Sequence, residues 1–373
     1  MENMPGFLTK FMEALPSDIP FVGPETLERR HGQIFQARLG ANESDFGPSP
    51  KAMAAMAKSL QEMSLYADPE HWEMRQKLAQ LHGLNPDQIM LGEGIDGLFG
   101  VLARIICEQG VKVVTSAGAY PTFVFQMVNN GAEIIRVPYR DDHEDLDALL
   151  DHVSRHGAKI CYLSNPDNPM GSWVSAEDIQ TFLTHLPEDC LLVLDEAYHD
   201  FAPSKARLAE DFVHPQLLRF RTFSKAHGLA GMRVAYVFGP QELTLSFNKI
   251  RNHFGMNRLG LIAAMASLDD PEHLEDVRQK VAVSKERIAK IAAAHDCQAL
   301  SSATNFVAVD LGADSALSRN MVAALAKRQV FVRMPMVAPL DRCIRITAGG
   351  IDAMDKLDKE FGSALAEAGK NAN

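Results

Sequence analysis

Between residues 112 and 239 short apolar runs recur at intervals filled by helix-forming sequence: KVVTS, EIIRVP, KICYLS, LLVLDE, LLRFRTFS and RVAYVFG. Strands separated by amphipathic helices pair side by side through helical crossovers, so the spacing predicts an α/β fold with a mostly parallel sheet covered by helices. Such sheets bind ligands in the loops at the carboxyl ends of their strands. After about residue 245 the texture changes to Ala-, Lys- and Arg-rich helical sequence, then NFVAVDL, another helix, VFVRMP and CIRITAG, which predicts a smaller α+β domain. At 373 residues the chain exceeds what one hydrophobic core usually organises. We therefore expect an N-terminal arm over 1–40, a large domain over 41–250 and a small C-terminal domain over 251–373.

Gly92-Glu93-Gly94-Ile95-Asp96-Gly97 follows the apolar run QIML and precedes LFGVLARII. A glycine turn from strand to helix leaves backbone N–H groups aimed at an anion, so the pattern indicates phosphate before it indicates a dinucleotide. A dinucleotide site also wants an acid about 20 residues on, at the end of the next strand. Here that strand reads VKVVTSAGAY and has none. The net charge of −11 argues against non-specific nucleic-acid binding, which needs basic patches to displace counterions. Five scattered cysteines with no C-x-x-C pair imply reduced thiols and a cytoplasmic setting, and the histidines, His199 and His227 among them, lack metal-ligand spacing. MENMPGFLTKFMEALP carries acids early and has no continuous apolar stretch, so neither a signal peptide nor a membrane anchor is expected.

Three strand ends carry the chemistry: YLSNPDNPMG, VLDEAYHDF and RTFSKAHGLAGMR, in that order. Lys225 lies among Ser, Ala and Gly in an apolar neighbourhood, where desolvation favours a neutral amine able to form a Schiff base. Asp195 ends LLVLD, where a buried carboxylate needs a partner; a helix cap is the other reading. Tyr198 follows three residues on and Asn168 ends the preceding loop. Together with ANESDFGPSP, YADP, AYPTF and CIRITAG, these segments resemble the fold-type I pyridoxal-phosphate aminotransferases, closest to the histidinol-phosphate aminotransferase group. The resemblance spans nearly the whole chain.

It implies pyridoxal phosphate bound with Lys225 as its covalent anchor, Asp195 on the pyridine nitrogen, and Tyr198 and Asn168 at the phenolic oxygen. It implies a phosphate held by Gly94, Ile95 and Asp96 at a helix start with Thr222, Ser224 and Arg233, while Phe123 stacks on the ring. Tyr66 is expected to reach the neighbouring subunit's phosphate in a homodimer with composite sites. Arg345 is expected to clamp a carboxylate and Arg333 a second anion, with Phe46 in the substrate pocket. Phe46 and Phe123 stand where the group usually has tyrosines, and Met170 where it has a threonine. The expected activity is transamination between an amino acid or histidinol phosphate and a 2-oxo acid. Left open are an aromatic amino acid donor, a decarboxylase of a phosphorylated amino acid, and a non-catalytic binding relative.

Overall fold

The strands form where β-branched and leucine runs end in Gly, Pro, Asn or Asp, which favour turns. The computed structural model describes residues 6–16 and 22–370, so parts of the expected arm, residues 1–5 and 17–21, lie outside the described residues. In chain order the strands are β1 (Ala37–Arg38), β2 (Ile89–Glu93), β3 (Lys112–Ser116), β4 (Glu133–Val137), β5 (Ile160–Ser164) and β6 (Leu191–Asp195). There follow β7 (Leu217–Thr222), β8 (Val234–Phe238), β9 (Gln298–Ala299), β10 (Phe306–Asp310), β11 (Val330–Phe331) and β12 (Cys343–Thr347).

The large sheet has seven strands in the order β2-β8-β7-β6-β5-β3-β4. Pairs from β4 through β7 are parallel, and β8 runs antiparallel to both its neighbours. Successive side chains of a strand point to opposite faces, and both faces here are covered. Val113, Tyr162 and Val193 meet the helices Gly94–Ile106 and Pro121–Val128 on one side. Val114, Cys161, Leu163 and Leu192 meet the helices Leu146–His156 and Ala176–His185 on the other. This explains why β5, β6 and β7 read as unbroken buried runs rather than alternating ones. Each Leu, Val or Phe so buried contributes roughly 1.5–3 kcal/mol relative to exposure.

The smaller sheet is antiparallel, β12-β10-β9, with Val307, Val309, Ile344 and Ile346 packed on Met321, Leu325, Leu357 and Phe361. β1 pairs in parallel with β11, which brings Ala37 and Leu39 into that core. The helix Arg258–Leu268, by contrast, packs its Ala263 and Ala264 with Leu78, Ile89 and Phe238 beside the large sheet. On this packing we propose that the small unit begins near residue 270, at the helix Pro271–Ala293. An Ala-rich helix looks the same in sequence whichever core it joins.

Candidate active site

A cavity of about 740 Å³ opens where the carboxyl ends of β5, β6 and β7 meet Arg345 and the Arg333–Val337 segment. Lys225 lies just past β7, in a turn closed by the Gly228 N–H donating to the Lys225 carbonyl at 3.1 Å. Gly228 has φ +67°, and a Cβ there would fall 2.4 Å from the Gly47 carbonyl oxygen, so the turn requires glycine. Burial, then the charge of Arg345, lowers the Lys225 amine to about 8. Its Nζ lies 5.8 Å from the Tyr198 ring centre.

Asp195 ends β6 and is buried. Its Oδ2 accepts from the Tyr162 hydroxyl at 2.7 Å and its Oδ1 from the Ala197 N–H at 2.9 Å. Burial pushes this carboxyl up to about 6, against those two hydrogen bonds and the charge of Lys225. The Tyr198 hydroxyl accepts from Asn42 Nδ2 at 2.8 Å, and Thr347 Oγ1 donates to Asn42 Oδ1 at 3.0 Å. Desolvation raises Tyr198 to about 12, which keeps it a phenol near neutral pH.

The helix Gly94–Ile106 begins directly at the end of β2, and its N-cap Glu93 makes no side-chain cap. Ile95 and Asp96 border the cavity there. Gly94 has φ +73°, and a Cβ would fall 2.2 Å from Arg233 Nη2; only glycine admits the guanidinium. Arg233 Nη1 donates to Ser224 Oγ at 3.4 Å, Thr222 Oγ1 donates to Ser224 Oγ at 3.0 Å, and Arg233 Nη2 lies 3.4 Å from Asp96 Oδ2. Backbone N–H groups, two hydroxyls and a guanidinium are the donor set of a phosphate site.

Arg345, from β12, donates through Nη1 to Asn168 Oδ1 and through Nη2 to the Gly40 carbonyl at 3.1 Å. The backbones of Arg333 and Arg345 pair as an antiparallel bridge, with N–H···O distances of 2.6 and 3.2 Å. Both side chains border the same cavity. Burial, then its neighbour Arg345, lowers Arg333 to about 10, and its Nη2 donates to the Val22 carbonyl at 2.6 Å.

Two expected positions need correction. Phe123 is fully buried, stacked on Tyr162 at 4.1 Å between centroids and edge-on to Phe99 at 5.1 Å, so it belongs to the core beneath the cavity. Tyr120, the N-cap of the helix Pro121–Val128, borders the cavity instead. AYPTF offers two aromatics three residues apart, and only the helix start decides which faces the ligand. Phe46 packs against Val277, Val281 and Ala348, outside the cavity wall. Tyr66 is 78% exposed with its ring on Phe254 at 4.9 Å, away from its own chain's cavity. Met170 is buried, its N–H donating to Asp167 at 2.9 Å. His227 Nδ1 contacts Ser267 Oγ at 2.7 Å and His199 Nε2 contacts Glu210 at 3.1 Å. Tyr162 and Asn42 were not singled out from the sequence; a Tyr two residues before the strand end that abuts Asp195 shares its face, and that periodicity was the available signal.

A family model described as aminotransferase class I and II matches residues 36–357. The chain is 32% identical over 350 residues to histidinol-phosphate aminotransferase 2 of Carboxydothermus hydrogenoformans, covering 91% of this chain and 94% of that one. It superposes with a TM-score of 0.94 and 46% identity on histidinol-phosphate aminotransferase from Sinorhizobium meliloti, crystallised in complex with pyridoxal-5'-phosphate, over 97% and 98% of the two chains. The Thermus thermophilus aspartate aminotransferase with maleate shares the fold, with a TM-score of 0.78 and 18% identity over 97% and 100%. A lysine and an aspartate at adjacent strand ends, a helix start with two hydroxyls and a guanidinium, and paired arginines therefore stand in a chain that belongs to the class I and II aminotransferases.

Proposed function

We propose that this pyridoxal-phosphate-dependent aminotransferase takes its amino group from histidinol phosphate and gives it to a 2-oxo acid. The observation that carries the substrate is the Arg333–Arg345 bridge, which sets two guanidinium groups at one cavity, as an amine bearing a phosphate requires. The relatives named for histidinol phosphate support the same reading. The residues fit the cofactor. Asp195 is a buried carboxylate with no Lys or Arg in ion-pair contact among the described residues, and a protonated pyridine nitrogen would supply its missing cation. Gly94, Ile95, Asp96, Thr222, Ser224 and Arg233 would hold the phosphate, Tyr198 and Asn168 the phenolic oxygen, and Tyr120 the ring face.

When bound, pyridoxal phosphate supplies an aldehyde to capture amines and a ring that withdraws electrons from the substrate carbon. Lys225 Nζ, held close to neutral by burial, anchors the cofactor as a nucleophile and then moves a proton to and from the substrate carbon. Asp195 keeps its charge on the ring nitrogen because Tyr162 and the Ala197 N–H both donate to it. Asn42 orients Tyr198, and Arg345 fixes the substrate anion so that the reacting carbon faces Lys225. Borohydride reduction followed by peptide mapping should find the covalent adduct on Lys225.

A second reading, an aromatic amino donor, is favoured by the walls of Tyr120, Val124 and Val337. Half-reaction rates with histidinol phosphate, phenylalanine and glutamate decide between them. Arg333→Ala should penalise histidinol phosphate most and spare phenylalanine; an equal loss for all three would make Arg333 structural. Release of carbon dioxide from a phosphorylated amino acid would favour a decarboxylase instead.

We also propose a homodimer in which Tyr66 serves the neighbouring site. Tyr66 and Phe254 are exposed and in ring contact, and Met63, Leu65 and Trp72 nearby in sequence to Tyr66 are exposed too, apolar exposure of a kind that marks protein contacts. The five free cysteines suit a reducing, cytoplasmic compartment. No helix among the described residues is long and apolar enough to cross a membrane.

A further inference from the structure

Tyr198 belongs to the loop after β6, yet the groups that hold its hydroxyl and its ring are carried by the small sheet. Asn42, which donates to that hydroxyl, is 2% exposed and has φ +55°. Its N–H donates to Thr347 Oγ1 at 3.1 Å, and its carbonyl accepts from Asn305 Nδ2 at 3.1 Å. Thr347 is the last residue of β12 and Asn305 the residue before β10. Phe306, the register partner of Thr347 in the β10–β12 pair, stands edge-on to the Tyr198 ring at 5.3 Å between centroids.

The direction of each hydrogen bond in this chain follows from its first member. A backbone N–H can only donate, so the Thr347 hydroxyl accepts from Asn42 and has its own proton to give. That proton goes to Asn42 Oδ1 at 3.0 Å. Turning the amide over would set its N–H groups against the Thr347 hydroxyl and leave the hydroxyl proton without an acceptor, so the oxygen faces Thr347 and the nitrogen faces Tyr198. An amide nitrogen only donates, so the Tyr198 oxygen accepts and the phenolic proton is left over. No side chain or carbonyl among the described residues accepts that proton, and Tyr198 borders the cavity.

We propose that Thr347 and Asn42 are positioning residues that make Tyr198 an obligate donor to the phenolic oxygen of bound pyridoxal phosphate. The inference rests on reading Tyr198 as the residue at that oxygen. A donor on an oxygen favours its charged form, so the directed proton lowers the midpoint of the cofactor's visible-absorbance titration. The sheet that carries Arg345 thereby also sets the donor on the cofactor.

Absorbance titration of the cofactor-loaded protein without substrate tests this, because it reads the bound chromophore rather than turnover. The charges facing Lys225 and Tyr198, those of Arg345, Asp96, Glu43, Arg233, Asp195 and Asp167, stay in place in every variant. Tyr198→Phe removes the donor and should raise the midpoint by roughly 0.5–1 on the pH scale. Asn42→Asp tolerates the positive φ but accepts where the amide donated, so Tyr198 turns its proton away and the midpoint should rise by a similar amount. The added charge also raises the midpoint, and the Tyr198→Phe background isolates that part: Asn42→Asp should shift the midpoint less there than in wild type. Thr347→Val frees the amide to turn over and should raise the midpoint part of the way, while Thr347→Ser, which keeps the hydroxyl, should not. Equal shifts from Asn42→Asp in the two backgrounds would overturn the proposal, as would a Thr347→Val midpoint equal to that of wild type. If Tyr198→Phe raises the midpoint while Thr347→Val does not, Tyr198 stands at the phenolic oxygen and only the relay falls. A midpoint indifferent to Tyr198→Phe would remove Tyr198 from that oxygen, and the relay's target with it.

Discussion

Lys225 is neutral in the folded protein at a pH where an unfolded chain would still charge it, and this has a thermodynamic signature in the cofactor-free protein. Its amine sits at about 8, against 10.5 for an ordinary lysine. Below about pH 8 both states are protonated and the folded state carries the full burial cost. Between 8 and 10.5 the unfolded chain binds more protons, so stability rises with pH, by up to about 3 kcal/mol. Urea midpoints of wild type measured against Lys225→Met should show this rise, and parallel curves would place the amine elsewhere. Lys225→Ala should lose transamination by several orders of magnitude, since nucleophile and proton carrier vanish together. Arg345→Lys replaces a planar fork by a point charge. The KM of anionic substrates should rise on the order of 10–100-fold, the equivalent of about 1.4–3 kcal/mol.

At the scale of elements, the ends of β6 and β7 must stay abreast, because one delivers Asp195 and the other Thr222, Ser224 and Lys225. Glu196, one residue past β6, clamps them: its carboxylate accepts from Arg219 at 2.9 and 3.1 Å and from Arg221 at 2.8 Å, all three side chains being buried. The buried position alone would raise Glu196, but the two arginines and His199 hold it at about 2. Glu196→Gln leaves two guanidinium groups without their shared anion and should cost about 3–5 kcal/mol. A folded-state value below the ordinary 4.5 means this stability is present above pH 4.5 and drains as pH falls toward about 2. The wild-type advantage over Glu196→Gln should therefore be widest near neutrality and shrink below about pH 4.5. An acid limb of equal steepness in both proteins would show that the pair contributes little.

The whole molecule places Tyr66 on an exposed apolar surface away from its own chain's cavity, so its contribution must come from a second copy or not at all. Mixing Lys225→Ala with Tyr66→Ala subunits tests this. If Tyr66 acts across the interface, one site of each mixed dimer carries both lesions and the other is native. Activity should exceed the sum of the two parent proteins, and a mixture that merely averages them, or a monomer at working concentration, would end the composite site.

Much of this was legible in the chain itself. Short β-branched runs set strand positions, and turn chemistry after them placed Lys225, Asp195 and Asn168 at strand ends, because both effects act within a few residues. Glycine at 94 and 228 was equally local in origin, although what each glycine avoids, Arg233 and Gly47, lies far off in sequence. The orientation of side chains was not legible. Whether Tyr120 or Phe123 meets the ligand depends on how the helix Pro121–Val128 seats against Phe99 and Tyr162. Phe46 was drawn aside by Val277 and Val281, more than two hundred residues away in the chain. The same holds for Asn42 on Tyr198, Tyr162 on Asp195 and Asn168 on Arg345, pairings of segments that no local pattern relates. Backbone conformation answers to neighbours in sequence, while burial, hydrogen-bond partners and the resulting charge states answer to neighbours in space, which only the folded chain supplies.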